Sequence, residues 1–418
     1  MFAELILAAA PVLSPSEVTV VAVSQPAGGI VHLRAVLYSG SADDPPAKEG
    51  LASLTALAMA GSPGSGGAGP VSVSVSRDMT VFSADPPAEG LEAAYARLIQ
   101  ILRYPAFDPA GLDALREAQK QRLEALRTDP EALAREAFDA FAFSGHPYGH
   151  PPAGMTSAIE RIGVEDLLAF YKEHCRKGNL AVGLAGDLPA GLEARVRADL
   201  EGVPEGNPSR APRPYSLLAN PRVLIVELPS AETVQVGLGH PISAARAHPD
   251  HAGLALALAG VGGRVEGETP RRQAAFSIWK GGAPSEGGAL VRSALEDLAR
   301  LASGADSPGT ADSPRPTLFP EASTASAALD ASLEDILHRS PGARDLLEAS
   351  ARAASAESMR SAFARHIHSG RLAIVAIVPD ASAFKQQLAA QTAGTDAALA
   401  RLFAAESTDT VKAADLFR

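Results

Sequence analysis

TVVAV at Thr19–Val23 and RVLIV at Arg222–Val226 stand 203 residues apart, and the same displacement lays IVHLRAVL (Ile30–Leu37) on TVQVGLGH (Thr233–His240). Val31, Leu33 and Ala35 then meet Val234, Val236 and Leu238, and Gly50-Leu51-Ala52 meets Gly253-Leu254-Ala255. NLAVGLAGDLP (Asn179–Pro189) matches RLAIVAIVPDA (Arg371–Ala381) at a slightly smaller displacement. One such piece is chance; ordered pieces across both halves are an internal duplication.

Both halves read in the same order. Two Val-rich strands (Val18–Val23, Gly29–Tyr38) precede a Leu/Ala-rich helix that starts near Glu49 and stops at Gly61. VSVSVSRDMTVFSA (Val71–Ala84) alternates and predicts one strand with a buried face. Helices start near Gly90, Asp108 and Asp129, and the strand Leu180–Ala185 closes the half. Strands first, helices in a block and one more strand predict an α+β fold: two duplicated domains, each a mostly antiparallel sheet covered by helices. The Pro-rich stretch Gly202–Pro214 separates a domain over 15–203 from one over 217–418, with 204–216 as linker. Ser303–Pro316 reads as a surface loop.

The 418 residues suit two or three domains, and 46% hydrophobic with 20% charged residues is a globular composition. The apolar run Ala3–Leu13 falls short of the ~20 residues of a membrane span. It has no Lys or Arg before it, so it reads as a trimmed secretion signal or as a frayed first strand. A net charge of -11 argues against a nucleic-acid surface. The one cysteine, Cys175, excludes an intrachain disulfide and any multi-Cys cluster. The expectation is a soluble chain of a bacterial periplasm or cytoplasm.

Several landmarks resemble the pitrilysin/insulinase family of zinc metallopeptidases, of the two-domain type that includes mitochondrial processing peptidase. KEGLASLTALAMAG (Lys48–Gly61) resembles the family's metal-binding helix, SRDMTVF (Ser76–Phe82) its Ser/Thr-x-Asp-x-Thr strand, and HPYGHPPAGM (His146–Met155) its Tyr-Gly-x-Pro loop. IGVEDLLAFYKEHCRKGNLAVGLAGD (Ile162–Asp187) resembles the closing helix and strand. The inverted zinc motif H-x-x-E-H should follow Gly50-Leu51-Ala52. Those positions hold Ser53, Ala56 and Leu57, which offer no imidazole and no carboxylate. Spacings of three and four put them on one helix flank. By the resemblance, Glu124 matches the third zinc ligand and Glu117 a second glutamate of the same helix; one carboxylate does not hold zinc, so both also suit a solvated face. Ser72, with Val73, stands in the strand that carries a cleft asparagine in the family. In RRQAAFSI (Arg271–Ile278) Arg272 keeps a substrate-binding arginine, Phe276 lacks the tyrosine hydroxyl, and a further arginine falls on Thr269.

Other patterns carry less. Gly64, Gly66 and Gly69 spell G-x-G-x-x-G, but between a helix end and a strand, the wrong context for a dinucleotide. Pro147, Gly149, Pro151 and Pro152 forbid a helix that would pair His146 with His150. His248 with His251, or His366 with His368, could clip a metal, yet no acidic partner is spaced to complete either, and surface histidines are the expectation. Trp279 and Phe276 read most simply as core or cleft-wall aromatics.

The resemblance implies a non-catalytic subunit of a heterodimeric zinc endopeptidase. This chain would hold no cofactor, and a partner of the same family would carry the zinc while both wall a peptide chamber. Two alternatives stand beside it: an active metallopeptidase with replacement ligands, and a scaffold without a proteolytic partner.

Overall fold

The computed structural model describes residues 13–61, 71–209, 216–244, 248–266, 274–303, 324–337, 343–392 and 408–418. The N-terminal run to residue 12, Gly64–Gly69, Thr269, Arg272 and most of the Ser303–Pro316 stretch lie outside them.

The first half runs β1 (Thr19–Ser24), β2 (Val31–Leu37), α1 (Leu51–Ala60), β3 (Ser72–Val75), β4 (Thr80–Ala84), α2 (Leu91–Arg103), α3 (Leu112–Thr128), α4 (Pro130–Ala142), α5 (Thr156–Ile159), α6 (Val164–His174), β5 (Leu180–Gly186) and α7 (Leu192–Asp199). The second runs β6 (Arg222–Glu227), β7 (Val234–Ile242), α8 (His251–Ala259), β8 (Gly263–Glu266), β9 (Ala274–Gly282), α9 (Gly287–Ser303), α10 (Ala325–Leu337), α11 (Ala343–Ala353), α12 (Ala356–His366), β10 (Ala373–Val378), α13 (Ala381–Thr392) and β11 (Thr408–Lys412). Two sheets result, ordered β1-β5-β2-β4-β3 and β11-β6-β10-β7-β9-β8. Without β11 the orders coincide strand for strand, including the parallel pairs Thr19↔Ala181 and Arg222↔Ala373. The duplication and the α+β class are therefore visible in the topology.

The expected single strand over Val71–Ala84 is a hairpin, β3 and β4. Ser76 makes the difference: its Oγ accepts from the Met79 N–H at 3.1 Å, and its own N–H donates to the Met79 carbonyl at 2.8 Å, closing a turn inside the alternating pattern. Asp108 and Asp129 cap the following helices as their position before proline predicts.

The compact units cross the sequence halves. One comprises Met1–Gln121, Pro152–Pro212 and Pro320–Arg344; the other Arg122–Pro151, Arg213–Phe319 and Asp345–Arg418. Helix α10, from the second half, packs on β5, β1 and β2, and α4, from the first half, packs on β10 and β7. Strand β5 shows why a helix fits there. Val182 and Leu184 enter the core with α2 and α7, while Ala181 and Ala185 face Leu329, Leu333 and Ile336 of α10. Between the two alanines, a Cβ on Gly183 would come within 2.7 Å of Leu329. The Tyr38 hydroxyl donates to the Leu333 carbonyl at 3.0 Å, and Arg34 donates to Ser326 Oγ at 3.0 Å. In the second unit, Phe138 of α4 meets Trp279 edge-on, with ring centroids 5.7 Å apart. Among the described residues no helix is long and apolar enough to cross a membrane.

Leu329 is fully buried under β5, so Leu329→Ala should cost about 2–5 kcal/mol, read as a lower urea midpoint. An unchanged midpoint would mean that α10 does not dock on this sheet.

Candidate functional site

Helix α1 starts from Gly50, whose φ of 106° suits glycine but whose missing side chain cannot cap the helix. Asp44 does so from the preceding loop, Oδ2 accepting from the Gly50 N–H at 2.6 Å and Oδ1 from the Ala52 N–H at 2.7 Å. Gln119 of α3 donates to the Gly50 and Ala153 carbonyls at 2.9 and 2.7 Å. Both side chains are buried. Burial pushes the Asp44 carboxyl well above its ordinary value, outweighing the two N–H bonds that favour the anion. Sequence reading passed over both residues. The available signal was a helix opening on glycine, which must borrow its cap.

The positions that would carry a metal motif sit inside this arrangement. Ser53, Ala56 and Leu57 are 5%, 1% and 8% exposed. Ser53 Oγ donates to the Pro152 carbonyl at 2.6 Å. Ala56 joins Met59 in the core with Leu33, Phe82 and Leu98, whereas Leu57 joins Leu54, Leu115, Ile162 and Phe170. The flank is filled by packing.

Glu117 and Glu124 occupy the exposed side of α3, as their position opposite the leucines predicts. Glu117 lies 3.6 Å from Lys120, and Glu124 lies 3.0 Å from Arg127, which donates to the Leu416 and Phe417 carbonyls. Among the described residues the one grouping of three metal-ligating side chains is His248, Asp250 and His366, in the other unit.

The residues expected at a peptide cleft divide. Ser72 and Val73 lie on β3, the end strand of its sheet, with Ser72 exposed and Val73 half-buried. Phe276 of β9 is fully buried and packs edge-on against His240, ring centroids 4.6 Å apart, which is the core alternative of its reading. Arg272 lies outside the described residues. His146 and His150 flank a single 3-10 turn (Pro147–Gly149), in keeping with the loop reading. Cys175 is buried, and burial pushes its thiol up to about 12, which makes it unreactive.

Comparisons with known proteins bear on the family and the fold. The family model for insulinase (peptidase family M16) matches residues 64–155, and that for the peptidase M16 inactive domain matches residues 161–271. Neither match includes α1. The Schizosaccharomyces pombe "probable mitochondrial-processing peptidase subunit beta" is 26% identical over 113 residues, 27% of this chain and 25% of that protein. The match thus spans about a quarter of that relative's length. A protease from Helicobacter pylori superposes with a TM-score of 0.71 at 15% identity, covering 88% of this chain and 98% of that one. A chain of complex III2 from Candida albicans superposes with 0.65 at 12% identity, covering 91% and 99%. At these identities the structures speak for the fold alone.

Asp44→Ala should destabilise the protein by about 1–3 kcal/mol through the lost cap. A carboxyl whose folded pKa is raised contributes fully below its unfolded value, and that contribution is lost as pH rises through the folded one. The stability difference between wild type and Asp44→Asn should therefore narrow on raising the pH; denaturant titrations in which it widens would contradict the assignment.

Proposed function

The chain belongs to the insulinase family of M16 peptidases, and from that premise we propose that it is the non-catalytic subunit of a heterodimeric zinc metalloendopeptidase. The observation that carries the reading is the packing of α1: the three positions of the zinc motif are Ser53, Ala56 and Leu57, and all are buried. Zinc and the general base then belong to a partner of the same family, which activates the attacking water. This chain contributes a wall of the peptide chamber.

Strand β3 suits that role, because an end strand offers backbone groups to which an extended peptide adds as a further strand. The similarity to a subunit of a processing peptidase supports an assembly of unlike chains. The likeness to a chain of complex III2 favours a second reading, a scaffold without proteolytic partner.

Purified alone with Zn2+, the chain should leave a quenched fluorescent peptide library uncut. Mixed with a family member that retains H-x-x-E-H, it should elute as a 1:1 complex whose cleavage is abolished by Glu→Gln in the partner's motif. Chelator-sensitive cleavage by the isolated chain would overturn the proposal, and failure to pair with any such member would favour the scaffold. Proline at whichever of Val73 and Ser74 turns its N–H outward should lower cleavage by the pair while leaving the complex assembled.

A further inference from the structure

The second unit holds a cluster that its sequence separates widely. His248 and Asp250 precede α8, and His366 ends α12, more than a hundred residues later. One nitrogen of each imidazole and one oxygen of the Asp250 carboxylate lie within 4.8 Å of one another. Asp250 Oδ2 is 2.9 Å from His366 Nε2 and 3.9 Å from His248 Nδ1. Asp250 Oδ1 accepts from Arg365 at 2.8 Å, so the charge of the carboxylate is balanced at one oxygen while the other faces both rings.

Neither pairing that spacing allows is the one that forms, and the expectation of surface histidines fails at His251, which is buried. His251 turns to the Ala244 carbonyl at 2.9 Å, and His368 stacks on His240, ring centroids 5.6 Å apart. The acidic partner that sequence spacing missed is Asp250, two residues after His248.

We propose that His248, Asp250 and His366 bind a divalent transition-metal ion, with Zn2+ as the representative. Three features point to it. Asp250 is the N-cap of α8 yet its side chain makes no cap hydrogen bond, although aspartate is favoured there for that bond. Its carboxylate is turned instead toward two imidazoles, whose rings meet at 4.9 Å. Nitrogen and oxygen ligands about 2.0–2.1 Å from a tetrahedral zinc stand about 3.4 Å apart, and the two observed separations bracket that value. Side-chain exposures of 38%, 13% and 9% for His248, Asp250 and His366 make His248 the most solvent-accessible of the three ligands. Two imidazoles and a carboxylate suit zinc and its borderline neighbours better than calcium or magnesium. Binding replaces the His366–Asp250 hydrogen bond and the 3.1 Å bond that the Asp250 N–H donates to His248 Nδ1, and it clips the start of α8 to the end of α12.

The site is independent of the α1 flank, and the test keeps the two apart. Metal-stripped full-length chain is titrated with Zn2+ against a chromophoric chelator and by thermal shift. The expected result is one ion per chain and a rise in Tm. His248→Ala, at the exposed ligand, should lower the affinity by more than roughly 100-fold and abolish the shift, as should the shape-conserving Asp250→Asn and His366→Gln. Ser53→Ala and Glu124→Gln should bind as wild type. Stoichiometric binding that survives His248→Ala, or no binding by the folded wild type, would overturn the proposal. Binding lost in Glu124→Gln would instead place the ion at the α1 flank and count against the pseudo-peptidase reading.

Discussion

Leu51 to Met59 of α1 are buried without interruption, and a helix so enclosed must have its free N–H groups satisfied by protein rather than water. Asp44 is drawn to it for that reason. Gln119, donating to the Gly50 and Ala153 carbonyls, and Ser53 Oγ, donating to the Pro152 carbonyl, tie helix α3 and the 152–154 segment to the same helix end. Burial and chelation compete for the same positions. Leu57 lies among Leu115, Ile162 and Phe170, and a leucine so placed contributes about 1.5–3 kcal/mol. A metal flank in its place would need a wet hollow lined by imidazoles. Here the flank is core.

Each sheet is covered on both faces, and this explains the crossed ownership of α4 and α10. One face takes the helices of its own half; the other presents small residues, Ala181, Gly183 and Ala185 on β5, to a helix from the opposite half. Such faces need a partner, since an exposed apolar sheet would be a liability in a single chain. What stays available is the edge, and β3 and β8 end their sheets at matching places of the duplicated units.

The two corresponding helix starts use different acidic residues in different ways. Asp44 reaches α1 from a distance and gives both oxygens to its N–H groups. Asp250 stands at the start of α8 and gives its oxygens to Arg365 and His366 instead. Helices α1 and α8 correspond in the repeat, yet the two aspartates do not: at a displacement of 203 residues Asp44 falls on Ala247 and Asp250 on Ala47.

Local pattern carries much of this protein. Strand alternation, the Asp-Pro helix starts and the displaced repeat show the α+β duplication, because periodicity and capping are properties of short stretches read in order. That Ser53, Ala56 and Leu57 offer no imidazole and no carboxylate is likewise plain from the sequence, since it is a matter of residue identity. Residues far apart in the chain decided the rest. The turn at Ser76 is closed by Met79 three residues on, whereas the docking of α4 and α10 on sheets of the opposite half and the meeting of His248 with His366 depend on what packs against what. Spacing along the chain cannot supply that information, because side chains hundreds of residues apart become neighbours only when buried area and hydrogen-bond satisfaction are settled over the whole unit at once.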